Sequence, residues 1–133
     1  MRRLGKLSIG LLFAALCGCA APLRNVQGHP LPVDDTPTLE EAEAVIRGGA
    51  SVKGWLVTKL AAGSLLATLA DHQVVVEIRH DATQFDVTYK SSQDLGYDGK
   101  GRIHQNYNRW VNTLVQDISG LEIHQVGSAR WPE

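Results

Sequence analysis

Six residues between positions 92 and 108 carry the side chains best suited to binding or catalysis: Ser92, Asp94, Tyr97, His104, Tyr107 and Asn108. They supply hydroxyl, carboxylate, imidazole and amide groups, which suit a small polar or anionic ligand. The first three belong to a polar run that ends at the turn 98–101, and the last three belong to the amphipathic segment that follows. We expect a ligand surface where this loop meets the first turn of a helix, because backbone N–H groups are free there.

The competing interpretation gives the same residues structural roles. Ser92 or Asp94 would tie the loop to the backbone, and the tyrosine rings would pack with their hydroxyls satisfied. His104 would hydrogen-bond a loop carbonyl. The residue types alone favour this structural interpretation over a binding patch.

A hydrolase or transferase is a second alternative, with Ser92 as nucleophile, His104 as base and Asp94 as the orienting carboxylate. The sequence supplies no nucleophile elbow and no recognisable oxyanion loop for it. The five histidines are scattered without the HxH, HxxxH or HExxH spacing of metal sites. We therefore predict a protein that is not an enzyme and that holds no metal and no cofactor.

The segment 103–120 must position half of these residues. Its apolar side chains fall within an arc of about 100° when plotted at helical spacing, which predicts one amphipathic helix ending at a left-handed cap on Gly120. On that helix His104 and Asn108 would be neighbours, four residues apart. The apolar stripe consists of Ile103, Tyr107, Trp110, Val111, Leu114 and Ile118.

Upstream, Thr38 and Glu41 fit a capping box that opens a short helix, and Gly48-Gly49 is expected to stop it. Alternating apolar residues then predict short strands over 55–60, 65–69, 74–78 and 84–89, joined by tight turns. The sequence therefore predicts an α+β fold. It is a two-layer sandwich with a short N-terminal helix, an antiparallel meander of three to four strands and a long C-terminal amphipathic helix. Residues 121–126 are a candidate additional edge strand.

The N-terminus has the layout of a secretory signal. Arg2, Arg3 and Lys6 precede an apolar run over 7–16 that is too short to span a bilayer comfortably. The closing residues Leu16-Cys17-Gly18-Cys19 resemble the lipobox of bacterial lipoproteins. That resemblance implies cleavage after Gly18 and lipidation of Cys19, with Ala20 next to it pointing to the outer membrane. An ordinary cleaved signal peptide with a free cysteine is the alternative.

The lipobox resemblance has consequences for the mature chain. Its one cysteine would carry the diacylglycerol and palmitate-type acyl chains, so no disulfide is available. Residues 19–37 hold four of the five prolines and no apolar period, which predicts an extended tether that keeps the domain off the membrane. The folded periplasmic domain is expected over 38–126 and a loose tail over 127–133. Removal of three basic residues with residues 1–18 leaves an acidic chain, which argues against nucleic acid or an anionic lipid surface as a partner.

Two further runs resemble a group of small, uncharacterised proteobacterial lipoproteins. The first is Tyr89-x-Ser91-Ser92-x-x-Leu95-x-Tyr97, and the second is Ile103-His104-x-x-Tyr107-Asn108-x-Trp110-Val111-x-x-Leu114. The resemblance covers residues 54–118 and implies an anchored periplasmic domain of the same helix–sheet–helix plan, with no activity to carry over. Small outer-membrane assembly lipoproteins are similar only in size and anchoring, since they place two helices before the sheet.

The sequence thus predicts an outer-membrane lipoprotein, anchored through Cys19, whose domain faces the periplasm. Its expected role is to bind or support another envelope protein or a small polar ligand. The alternatives are the hydrolase or transferase described above, and a protein inhibitor or interaction module that uses an exposed sheet edge.

Overall fold

The computed structural model describes residues 20–120, which form an α+β domain with two helices and an antiparallel sheet. The predicted fold class is therefore confirmed. The predicted signal segment 1–18, the lipidation site Cys19, the candidate strand 121–126 and the tail 127–133 lie outside the described residues.

The central sheet contains the predicted antiparallel meander, with four strands. Residues Leu65, Val76, Ile78 and Val87 alternate toward the helices and are fully buried, as period-two patterning requires of a sheet with one covered face. The strands are β3 (Leu56–Ala61), β4 (Ser64–Leu69), β5 (Val74–His80) and β6 (Gln84–Ser91), each paired with its neighbour in the chain. A short 3-10 helix, Ala70–His72, joins β4 to β5.

The prediction of a tether over 19–37 is wrong for most of that segment. Strand β1 (Ala20–Pro22) pairs with β7 (Arg102–His104), and β2 (Val26–Pro30) pairs with β6, which gives the sheet order β2-β6-β5-β4-β3. Leu31 then enters the core. Prolines are tolerated in these strands because one lies in a two-stranded ribbon and the other on a sheet edge, where a ladder N–H can be missing.

Helix α1 (Leu39–Ser51) begins at the predicted capping box. The Thr38 side chain accepts from the Glu41 N–H at 3.1 Å, and the Glu41 carboxylate accepts from the Thr38 N–H at 2.8 Å. The helix does not stop at Gly48-Gly49, as the sequence suggested, but continues to Ser51. Gly49 is needed for packing instead, because a Cβ there would collide with the Ile118 backbone of the second helix.

Helix α2 (Gln105–Ser119) starts two residues later than predicted, because Ile103 belongs to β7. Its buried side chains include Tyr107, Val111, Leu114 and Ile118, in agreement with the predicted stripe. Gly120 caps the helix with φ −100°, so the expected left-handed cap is also wrong. Both helices share one apolar core with the inward face of the sheet, which makes the domain a two-layer sandwich.

Candidate functional site

The loop between β6 and β7 is held by an aromatic cluster centred on Tyr89. The Tyr89 hydroxyl is hydrogen-bonded to Ser92 Oγ at 2.7 Å. Its ring lies 4.7 Å from the ring of Tyr97 and 5.3 Å, edge to face, from that of Tyr107. The structure therefore brings Ser92, Tyr97 and Tyr107 together around Tyr89. The separations of the tyrosine rings are typical of stabilising aromatic contacts.

Tyr107 is fully buried, and its hydroxyl has no hydrogen-bond partner among the described residues. Burial, with a smaller contribution from neighbouring Tyr89, raises the pKa of Tyr107 far above its usual range. The phenol therefore stays neutral at all physiological pH values and cannot act as a general base. The predicted ligand contact of Tyr107 is better described as a core side chain.

His104 is the N-cap of α2 and not a residue on its surface. Its Nδ1 accepts from the Asn106 backbone N–H at 3.1 Å, and its own backbone N–H donates to the Leu95 carbonyl at 2.9 Å. The expected pairing of His104 with Asn108 along one helix face is therefore wrong. The expected hydrogen bond from the imidazole to a loop carbonyl is also wrong, since the ring is bonded to the backbone of α2. A side-chain acceptor at this position satisfies a helix N–H that would otherwise lack a partner.

The three side chains of the hydrolase alternative are not linked to one another. Ser92 is bonded to Tyr89, and the imidazole of His104 is bonded to the backbone of α2. Exposed Asp94, which has φ +61°, has no hydrogen-bond or ion-pair partner within residues 20–120. A serine nucleophile needs a base within hydrogen-bond reach, and no such bond is formed here.

Asn108 joins α2 to the N-terminal ribbon. Its Nδ2 donates to the Pro22 carbonyl at 2.8 Å, and its Oδ1 accepts from the Arg24 N–H at 3.1 Å. Both functions of the amide are thus used internally. Asn108 is therefore a structural clamp. Its side-chain hydrogen bonds go to residues 22 and 24 and not to the Tyr89 cluster.

Asp98 fixes the turn that precedes β7. Its Oδ1 accepts from the backbone N–H groups of Lys100, at 2.6 Å, and Arg102, at 3.0 Å. These hydrogen bonds hold the pKa of Asp98 below its usual value because they stabilise the carboxylate form. The turn is therefore built locally, and it fixes the backbone of Lys100 and Arg102.

A depression of about 260 Å³ that the sequence did not predict lies between α2 and the start of the meander. Trp55, Leu69 and Trp110 form its apolar wall, and Lys53, Asp71 and Arg109 carry its charges. Trp55 is buried, whereas Trp110 packs against the core but is only partly buried. In the sequence Arg109 directly precedes Trp110 and Lys53 lies two residues before Trp55, but only the fold brings the two pairs together.

The basic side chains fall into two groups. Four of them form salt bridges on the sheet and on α1, two with Glu43 and two with Glu77. Five others form no salt bridge within the described residues. Three of these five flank the β1–β7 ribbon and two line the indole-walled depression; they are Arg24, Lys100 and Arg102, and Lys53 and Arg109.

One edge of the central sheet, strand β3, is partly closed. Arg47 donates to the Val57 carbonyl at 3.3 Å, and Lys59 is paired with Glu43 at 3.2 Å. On the outer face of the strand, Leu56 and Leu60 are 63% and 53% exposed. Charges near an edge strand disfavour pairing with another strand, so the edge offers side chains more readily than backbone groups.

Within residues 20–120 no group of His, Cys, Asp or Glu side chains could hold a metal ion. No helix of the described domain is long and apolar enough to cross a membrane. Comparison of the chain with protein-family models, with curated proteins and with solved structures finds no match in any of the three. The case for a function therefore depends on the residues themselves.

Proposed function

We propose that this chain is a bacterial lipoprotein anchored in the outer membrane through Cys19, with a periplasmic domain that binds another envelope component. The domain acts by binding and not by catalysis. Its ligand surface is the indole-walled depression, and the group bound there is a carboxylate or a phosphate carried by an envelope protein or by a small polar molecule.

The anchoring part of the proposal depends on the sequence Leu16-Cys17-Gly18-Cys19, which resembles a lipobox. The fold is compatible with it, because β1 begins at Ala20, the residue that follows the lipidated cysteine in the proposal. Several acyl chains on one cysteine give stable membrane attachment, which a single chain does not.

The binding part depends on one observation: Lys53 and Arg109 lie in a depression beside Trp110 and form no salt bridge with the described residues. One carboxylate, that of Asp71, shares the depression, so the two cations outnumber it. An indole wall with adjacent cations suits a ligand that has an apolar face and an anionic group. By contrast, most of the polar residues first considered for binding are used within the fold.

The anchor is tested by metabolic labelling with a radioactive fatty acid in the wild type and in Cys19→Ser. We expect label in the wild-type protein only, together with wild-type protein in the outer-membrane fraction. Unlabelled wild-type protein in the soluble periplasmic fraction would refute the anchor.

The binding surface is tested with a photoreactive amino acid placed at Thr113, which lines the depression and leaves both cations in place. The matched control carries it at Asn112, an exposed residue of the same helix outside the depression. We expect a discrete crosslinked product in intact cells from position 113 only, and its loss in Lys53→Gln. Equal products from both positions, or none from either, would contradict binding at the depression.

The hydrolase alternative has no bond among Ser92, His104 and Asp94 to support it. An interaction module that uses the edge of the sheet has one supporting observation, the exposure of Leu56 and Leu60. It is distinguished by the same crosslinker at Leu60, since a partner at that edge would be captured there and not at Thr113.

A further inference from the structure

The first residue of β1 directly follows the proposed lipid attachment site, and this limits where the domain can lie. Ala20 is opposite His104 in the β1–β7 ribbon, and its carbonyl accepts from the Arg102 side chain at 3.0 Å. Consecutive Cα atoms are about 3.8 Å apart, so an anchor on Cys19 is separated from the folded domain by a single peptide unit. The ribbon would then be held at the level of the lipid headgroups.

Three basic side chains that form no salt bridge within the described residues gather at this ribbon. Arg102 is opposite Pro22, and the Leu23 N–H donates to the Gly101 carbonyl at 2.7 Å, which brings Arg24 and Lys100 to the same end. All three side chains are exposed. Two carboxylates lie in the loop that leads to the ribbon: Asp98, which is bonded to backbone N–H groups, and exposed Asp94. The three cations outnumber them, so the ribbon end is locally basic in a chain that is acidic overall.

The far end of the domain carries the opposite charge. The Leu31 N–H donates to the Thr83 carbonyl at 2.8 Å, so the segment after β2 lies beside the β5–β6 turn. Around these positions the chain places acidic residues: Asp34, Asp35, Asp81 and Asp86. The charge is thus divided between the end that would be near the anchor and the end that is remote from it.

We propose that the β1–β7 ribbon is a membrane-facing surface, on which Arg24, Lys100 and Arg102 bind the headgroups of anionic phospholipid. This inference rests on the proposed lipid anchor. The anchor confines the ribbon to within a few ångströms of the headgroups, and the three cations then orient the domain by electrostatic attraction. The net negative charge of the chain does not oppose this arrangement, because cations are in excess at the ribbon, whereas Asp34, Asp35, Asp81 and Asp86 lie at the other end.

The experiment uses the full lipidated protein in vesicles of zwitterionic phospholipid, with and without anionic phospholipid. A single cysteine bearing a fluorophore is introduced at Gln105, next to the ribbon, or at Ala62, in the β3–β4 turn at the opposite end of the sheet. The vesicles contain a headgroup-labelled quencher lipid. We expect several-fold stronger quenching at position 105 than at position 62 when anionic lipid is present, with a decrease in high salt.

The triple variant R24Q/K100Q/R102Q should lose this difference, so that the two positions are quenched equally. A matched variant, R47Q/K59Q/R79Q, removes the same charge from α1 and from strands β3 and β5, away from the ribbon, and should keep the difference. Equal quenching of the two positions in the wild type, or loss of the difference in both variants, would overturn the inference.

Vesicle flotation separates this result from a failure of the anchor. Protein that floats with the vesicles and shows equal quenching retains the anchor and contradicts only the basic surface. Wild-type protein that carries no lipid and does not float contradicts the anchor itself, and with it this inference.

Discussion

The side-chain amide of Asn108 and the carbonyl of Pro22, joined by a hydrogen bond of 2.8 Å, connect the first turn of α2 to the first strand of the domain. The same amide also accepts from the backbone N–H of Arg24. These two bonds fix the segment that links β1 and β2. They explain how a proline-containing stretch with little apolar patterning becomes part of the fold.

Replacement of Asn108 by alanine should remove both bonds and destabilise the domain by about 1–2 kcal/mol, since a neutral hydrogen bond contributes about 1 kcal/mol. Amide hydrogen exchange should accelerate at residues 23–24 before the rest of the domain. Asn112→Ala, an exposed change on the same helix, is the control and should leave exchange unaltered. Equal stability of the two variants in urea would contradict the clamp.

Gly49→Ala should destabilise the domain by about 1–3 kcal/mol, because the added Cβ meets Ile118 N at 2.7 Å and Asp117 O at 2.8 Å. Helix propensity alone predicts the opposite sign, a gain of about 1 kcal/mol. The exposed reverse change Ala44→Gly calibrates that propensity within α1. If thermal unfolding shows Gly49→Ala to be more stable than the wild type, the close approach of the helices is wrong.

Tyr107→Phe should leave the stability unchanged or raise it by about 1 kcal/mol, because it removes a buried hydroxyl that has no partner among the described residues. Tyr89→Phe is the matched change, and it should cost about 1 kcal/mol by breaking the bond to Ser92. Urea unfolding of both variants gives the comparison. A larger loss for Tyr107→Phe than for Tyr89→Phe would indicate that the Tyr107 hydroxyl is bonded.

Asp98 should contribute to the stability at neutral pH and lose that contribution in acid. Its pKa is lower in the folded state than in the unfolded state, so the contribution is present above the unfolded value, near 4, and disappears as the pH falls through the folded value. Asp98→Asn keeps the oxygen acceptor but does not titrate. The stability difference between the wild type and Asp98→Asn should therefore shrink between pH 5 and pH 2, and a constant difference would exclude this linkage.

Much of the fold was predictable because its signals are local. The capping box needs only Thr38 and Glu41, and the alternation in β5 and β6 is visible within each strand. The stripe of α2 was also found, although the helix begins after His104 and not at Ile103. The predicted start of α2 was wrong because it depends on a distant strand. Ile103 is a strand residue only because β1 lies beside it.

The candidate site was less predictable for the same reason. The polar run around Ser92 and His104 is visible in the sequence, but the roles of its residues depend on Tyr89 and on the backbone of α2. The depression at Trp110 combines residues from α2 with Lys53, Leu69 and Asp71. No spacing along the chain indicates that these residues meet.

The sequence by itself determined the α+β class, the faces of the strands and helices, and the features that resemble a lipoprotein signal, because each depends on residues close together in the chain. Only the tertiary structure decided that residues 20–22 and 26–30 are strands, and that Gly49 packs against the backbone of α2. It also decided that the cations without salt bridges in the described domain collect at two places. Each of these depends on residues far apart in sequence: Ala20 and Arg102, for example, are 82 positions apart. Periodicity describes which face of an element is apolar, but it does not specify which distant backbone will lie against it.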